Sequence, residues 1–224
     1  MLLAPLLPAS GGTGEAAASL DLAHSAPAYY KAIIVDGMAF PLARSTSLSL
    51  IEIFANWHAP RLRLVNGTWQ LVGVHEGIDS AAEPGTPALA MEPGTVENAG
   101  WSFYSGLRVG LRGMDGRYYL YAHLSIIAAG IASGAHLDAG SVLGLAGNTG
   151  YGALGHRDEF PPHLHVGIEE GTEWIDPYPL LVSLYEATVR ADRRAQAALD
   201  ELAAAGDLAA WERAAASTYL DPEA

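Results

Sequence analysis

The chain has 224 residues, half of them hydrophobic, no cysteine, and 25 acidic against 12 basic side chains, for a formal net charge of −13. That length suits one domain with appendages, and the apolar fraction is ample for a core without covalent staples. The missing thiols exclude disulfides, thiolate metal sites and cysteine nucleophiles, while the acidic balance argues against nucleic acid and anionic surfaces as partners.

Residues 1–28 are rich in Ala, Gly, Ser and Pro without periodicity and read as a flexible leader. The leucine-rich start, Met1 to Ser10, is short and carries no positive n-region, so it reads as a poor signal peptide, with the tail of a longer export signal as the alternative to a disordered N-terminus. No stretch of the chain approaches the ~20 apolar residues that span a bilayer. From Tyr29 to Pro179 the character changes. Short β-branched and aromatic runs alternate with Gly, Pro, Asn and Asp turn signals, which predicts a mainly β domain of antiparallel sheet over residues 29–179.

Val65-Asn66-Gly67-Thr68 is a hairpin signal, and Met114-Asp115-Gly116-Arg117 is a second, joining Leu107–Leu111 to Tyr118–His123. In that second strand, strict alternation puts Tyr119, Tyr121 and His123 on one face. Pro93-Gly94 and Gly147-Asn148-Thr149-Gly150 punctuate further strands, with Asn148 and Thr149 read as turn residues first and groove-lining residues second. Pro161-Pro162 lacks amide donors, so the strand that follows begins at Pro162 or His163.

After Pro179 the period becomes helical. Leu180, Leu184, Ala187, Ala191, Ala195, Ala198 and Leu202 form one apolar stripe, predicting a C-terminal α-helical appendage over residues 180–224. Gly206 ends the first helix, and Asp207 caps a second that runs through Leu220. The stripe is a packing face against the β domain or a second subunit, and oligomeric state is not legible in it.

Two clusters bear chemistry. In His75-Glu76-Gly77-Ile78-Asp79 the ligand types stand four apart, a spacing that a helical turn or a strand-to-loop bend brings onto one metal. The turn-rich surroundings favour the bend, and Gly77 is expected to supply an otherwise costly φ. In His163-Leu164-His165 strand geometry aims both imidazoles to one side while Leu164 turns inward. Together with His123, these imidazoles and one carboxylate form the donor set that zinc prefers. His24, His58 and His136 read as exposed or locally satisfied, whereas His156 lies in a loop that can approach the metal. Glu76 reads as a group behind the ligands or as a solvated one, and Trp101 and Tyr104 as packing aromatics.

The motifs also occur in a telling order. His75-x-Gly77-x-Asp79 precedes Pro84-Gly85-Thr86-Pro87 and Pro93-Gly94-Thr95-Val96. Then come Tyr121-Ala122-His123-Leu124-Ser125, Gly144-Leu145-Ala146-Gly147-Asn148-Thr149-Gly150, Pro162-His163-Leu164-His165 and finally Asp176-Pro177. This series resembles the lysostaphin-type (LytM-like) zinc endopeptidases that cut peptidoglycan, over His75 to Pro179. The resemblance implies that His75, Asp79 and His165 bind Zn²⁺ and that His123 and His163 are non-ligand catalytic histidines. It also implies a peptidoglycan peptide as substrate and an envelope or extracellular location.

One departure is the segment Tyr151–Pro161, longer than the compact turn usual in the family, with Arg157, Asp158 and Glu159 read as solvated loop charges. The alternative function is a latent or non-catalytic wall-binding relative, yet such relatives lose ligands and this chain keeps all five positions. A cupin-like barrel, suggested by Glu169 after His163-x-His165, lacks the required later histidine, since none follows His165.

Overall fold

The computed structural model describes residues 30–45 and 51–216, so the leader expected over residues 1–28 lies outside the described residues. Short strands come first: β1 (Tyr30–Lys31), β2 (Ile34–Val35), β3 (Met38–Ala39) and β4 (Arg44–Ser45). A long hairpin follows, β5 (Pro60–Val65) and β6 (Thr68–Val74), and then β7 (Ile78–Ala81), β8 (Pro87–Leu89), β9 (Gly94–Ser102) and β10 (Gly106–Gly113). The remaining strands are β11 (Tyr118–Ile127), β12 (His136–Leu137), β13 (Val142–Ala146), β14 (His163–Glu170) and β15 (Glu173–Ile175), and helices α1 (Tyr178–Ala205) and α2 (Leu208–Ala216) close the described chain.

Both predicted hairpins form. Asn66 and Gly67 sit at φ +52° and +77°, the left-handed pair that a two-residue turn requires, and Gly116 at φ +87° turns β10 into β11. β14 begins at His163, where the second proline ends and amide donors resume.

The main sheet is antiparallel and forks. Its order runs β12-β9-β10-β11, and beyond β11 it divides. Tyr118–Ala122 of β11 pair with β14, whereas Leu124–Ile127 pair with β13, which carries β8 on its other side. β14 in turn holds β7 and β15 on its far edge. His123 is the residue at the fork, and it stands at φ +64° beside a register shift in the β10 pairing. This bulge corrects the expected alternation: strict two-residue periodicity fails at His123, and its ring is aimed by a local bend instead.

The core gathers Tyr119, Tyr121, Leu111, Leu124, Leu143, Leu164 and Ile168, all essentially inaccessible to water. Tyr121 keeps its hydroxyl satisfied by accepting from the Met91 amide at 2.8 Å. The first half of α1 closes this core through Leu181 and Leu184, with Phe40 and Tyr185 in ring contact at 5.2 Å. The buried line of α1 runs through Leu181, Leu184, Thr188 and Leu199, about one residue round from the predicted stripe. The later alanines of that stripe offer too little surface to decide which face docks.

Gly206 ends α1 at φ +72°, as its sequence position predicts, with its amide and that of Asp207 returning to Ala203 and Leu202. The Asp207 carboxylate accepts from the Ala210 amide and starts α2. The expected extension of that helix through Leu220 passes outside the described residues. Among the described residues, no helix is long and apolar enough to cross a membrane.

Candidate metal centre

Three sheet edges meet where the fork opens. His165 of β14 stands directly opposite Asp79 of β7, and on its other side pairs with Ala122 of β11, the residue before His123. Opposed residues in an antiparallel pair keep their side chains on one face roughly 5 Å apart, so the register alone makes His165 and Asp79 neighbours. His163 shares that face, two residues earlier, while Leu164 is fully buried on the other as expected. His75 enters from the base of the β5–β6 hairpin, its amide bonded to the Ala59 carbonyl and its carbonyl accepting from His58. The four-residue spacing is therefore realised by a bend from hairpin to strand, as the turn-rich sequence suggests.

His75, Asp79 and His165 bring one donor atom each within 4.8 Å of one another, the group of this kind found among the described residues. The His75 Nε2 lies 2.8 Å from His165 Nδ1 and 3.2 Å from Asp79 Oδ1, and His165 Nδ1 lies 2.9 Å from that same oxygen. His75 donates its Nδ1 proton to the Asn56 carbonyl at 3.0 Å, which leaves Nε2 with a bare lone pair aimed into the triangle. Two nitrogens and a carboxylate oxygen converging with so few protons between them fit a first-row divalent cation, and three protein donors leave a position for another oxygen.

His123 and His163 stand beside this group without joining it. Their ring centroids are 4.8 Å apart, and His163 Nε2 is 3.6 Å from Asp79 Oδ1. His123 donates Nδ1–H to the Thr149 carbonyl at 2.7 Å, and His163 donates Nδ1–H to that of Pro161 at 2.9 Å. All five predicted side chains are thus gathered in one place.

A family model described as "Peptidase family M23" matches residues 73–177. Residues 73–177 are a domain of peptidase family M23. The M23 segment is similar to the L-Ala–D-Glu endopeptidase of Bacillus subtilis, 42% identical over 112 residues that cover 48% of this chain and 34% of that protein. It is also similar to lysostaphin of Staphylococcus simulans, 35% identical over 117 residues, covering 50% of this chain and 22% of the relative. The chain therefore spans about a third of the first relative's length and about a fifth of the second's. A crystal structure from Ruminococcus gnavus, described as a glycyl-glycine endopeptidase LytM, shares the fold with a TM-score of 0.54 and 37% identity, covering 63% of this chain and 58% of that one.

Within the M23 domain, Gly77 has a different reason from the one its sequence suggests. Its φ is not in the left-handed region; instead a Cβ there would collide with the His165 imidazole and the Val166 carbonyl. Only the smallest residue lets the metal-site ring lie against the backbone.

Two residues escaped the sequence reading. Asn56 donates from Nδ2 to Asp79 Oδ2 at 2.8 Å, accepts the Asp79 amide at Oδ1, and gives its carbonyl to His75, so it orients two of the three donors. It lies 23 residues before Asp79 with a whole hairpin between them, so no short-range spacing signals it. Thr149, read as a turn residue, is buried: its hydroxyl donates to the Leu124 carbonyl, accepts the Leu107 amide, and its own carbonyl holds His123.

Burial tends to raise the Asp79 pKa, but the His165 and His75 imidazoles gathered round it outweigh burial and hold the carboxyl well below the usual range, so the group is anionic. Burial lowers the His165 pKa against the pull of Asp79, and burial with its imidazole neighbours pushes His123 down to about 3. His156 turns away from the centre. Its Nδ1 donates to the Gly150 carbonyl and its Nε2 faces Glu159 at 3.4 Å. Glu76 is exposed, and Trp101 donates to the Gly152 carbonyl at 3.2 Å.

Proposed function

We propose that this protein is a zinc-dependent endopeptidase that hydrolyses peptide bonds in peptidoglycan stem peptides or cross-bridges. The observation that carries this reading is the convergence of His75, Asp79 and His165 on one point beside two imidazoles that stay outside the donor group. The endopeptidase names of the Bacillus subtilis relative and of the Ruminococcus gnavus structure support the same reaction class, and a wall peptide as substrate implies work in the cell envelope or outside the cell.

In this reading His75, Asp79 and His165 hold the ion, with Asn56 fixing the orientation of the first two. A zinc ion so held supplies Lewis acidity that polarises a scissile carbonyl and acidifies water. His123 and His163 do the proton work. Each has its Nδ1 proton committed to a backbone carbonyl, so each presents Nε2 as the atom that takes a proton from the attacking water or returns one to the leaving amine. A ring that has taken a proton at Nε2 becomes a donor there, able to steady the developing oxyanion or to protonate the leaving amine.

The test is hydrolysis of defined muropeptides by the zinc-loaded chain, read by mass spectrometry with and without chelator. A new amine terminus at one peptide bond, lost on chelation and restored by zinc, is the expected result. Zinc stoichiometry near zero with no cleavage of any muropeptide would overturn it and leave a non-catalytic wall-binding relative.

A further inference from the structure

The segment from Thr149 to Pro161 is the part of the site that the metal group does not explain. Its two ends supply the two carbonyls that hold the proton-handling rings: Thr149 takes the Nδ1 proton of His123, and Pro161 takes that of His163. A carbonyl only accepts, so a neutral imidazole bonded to one through Nδ1 is locked in the tautomer whose Nε2 is bare.

Aromatic rings from the same segment complete the clamp. Phe160 lies 4.7 Å from the His123 ring at 67° and 4.9 Å from the His163 ring at 55°, so one side chain packs on both. Tyr151 lies nearly parallel to His123 at 6.2 Å and meets Phe160 edge-on at 5.7 Å. Tyr151 does so from φ +55°, a left-handed conformation that a bulky residue keeps only where its surroundings impose it.

The segment is also held in shape without help from either histidine. The Gly150 amide donates to the His156 carbonyl, and His156 Nδ1–H returns to the Gly150 carbonyl at 2.8 Å. The Gly152 amide donates to Phe103, its carbonyl accepts from Trp101, and Asn148 donates to Asp158 at 2.9 Å. Gly150, at φ +128°, passes so close to Tyr104 and to His123 Nδ1 that a Cβ has no room.

We propose that the Thr149–Pro161 segment is a positioning element that sets the tautomer and orientation of both His123 and His163, with Phe160 as the positioning residue that couples the two rings. The segment is thus the support of the proton-transfer pair. His156, which has no place at the metal group, serves by stitching the segment closed. The inference rests on the catalytic role proposed above for His123 and His163. It requires a kcat effect, since a misplacement of about 1 Å at reacting groups costs on the order of 10²-fold in rate.

The test uses the zinc-loaded full chain with ¹⁵N-labelled histidine. Imidazole nitrogen shifts report the tautomer of each ring, and single substitutions of His123 and His163 assign them. The wild type should show protonated Nδ1 and bare Nε2 at both. Phe160→Ala should move both toward a tautomer mixture and lower kcat at least tenfold, with KM within twofold and zinc content unchanged. Phe160→Tyr should restore both readouts, and His156→Ala, which leaves every aromatic in place, should give a smaller change of the same sign. Unchanged tautomers and unchanged kcat in Phe160→Ala and His156→Ala would overturn the proposal, and His156→Ala alone decides it if Phe160→Ala does not fold. A wild type that cleaves no muropeptide but shows segment-dependent tautomers sinks the proposed peptidase and supports the positioning element.

Discussion

At the scale of single residues, the centre divides labour between donors, their supports and the spare rings. His165→Ala removes one of three donor atoms, and metal analysis of the purified variant should show zinc stoichiometry falling to near zero. His123→Ala should keep its zinc and lose turnover by about 10²–10⁴-fold, the range for removing an acid–base group. Zinc retained and activity intact in both variants would sink the assignment. Asn56→Ala tests the support. It leaves all three donors and the backbone carbonyl that holds His75 in place, but frees the far oxygen and the amide of Asp79. Competition with a chromophoric chelator should show zinc affinity weakened by about 10–100-fold, and an unchanged affinity would demote Asn56 to a hairpin strut.

Protonation gives a third residue-scale expectation. His123 is held near 3 in the fold, well below an ordinary imidazole, so between about pH 6.5 and 3 the unfolded chain binds a proton that the folded chain refuses. Stability of the metal-free protein therefore falls as pH drops through that window, at up to ~1.4 kcal/mol per pH unit for this one group. Asp79 acts in the same direction lower down, since its depressed pKa makes a contribution that is present above the ordinary carboxylate range and lost in acid. Urea unfolding at pH 7 and pH 5 should show the drop, and His123→Phe should flatten it; equal slopes in the two proteins would contradict the burial argument.

At the scale of elements, the forked strand β11 organises the site. One partner along Tyr118–Ala122 and another along Leu124–Ile127 open the sheet at His123, and β14 brings its two histidines to that opening. The hairpin of β5 and β6 matters by its base, which brackets Asn56 and His75. Helix α1 acts differently, as a lid on the core. Leu184→Ala should destabilise the chain by about 2–5 kcal/mol while leaving zinc stoichiometry unchanged, because the donor group contains no α1 residue. Loss of zinc in a folded Leu184→Ala protein would show that the helix supports the site after all.

The elements also show what sequence reasoning can reach. Turns were legible wherever a residue type dictates a backbone conformation, as at Asn66-Gly67, Gly116 and Gly206, and so was the start of β14 after two prolines. The expected face of α1 and the alternation through His123 were less secure. The first depended on alanines that bury little surface, the second on a bulge imposed by a neighbouring strand.

At the scale of the whole molecule, metal binding and folding are linked. An ion that binds the native centre stabilises the fold by mass action, about 4 kcal/mol at a free concentration a thousand times its dissociation constant. Thermal unfolding should therefore shift upward with added zinc and downward with chelator in the wild type, and the shift should vanish in His165→Ala. An acidic chain of net charge −13 also has no electrostatic reason to hold anionic polymers, so the proposed substrate contact would rest on the residues at the fork rather than on the general surface.

By itself, the sequence determined the donor types, their spacing, the turns between strands and the two terminal helices, because each depends on bonding within a few residues. Only the tertiary structure decided that Asp79 faces His165, that Asn56 returns across a hairpin to orient the donors, and that Thr149 and Pro161 hold the spare rings. Those contacts are set by strand register and by the fork of one sheet, properties of paired backbones that no local pattern of side chains encodes.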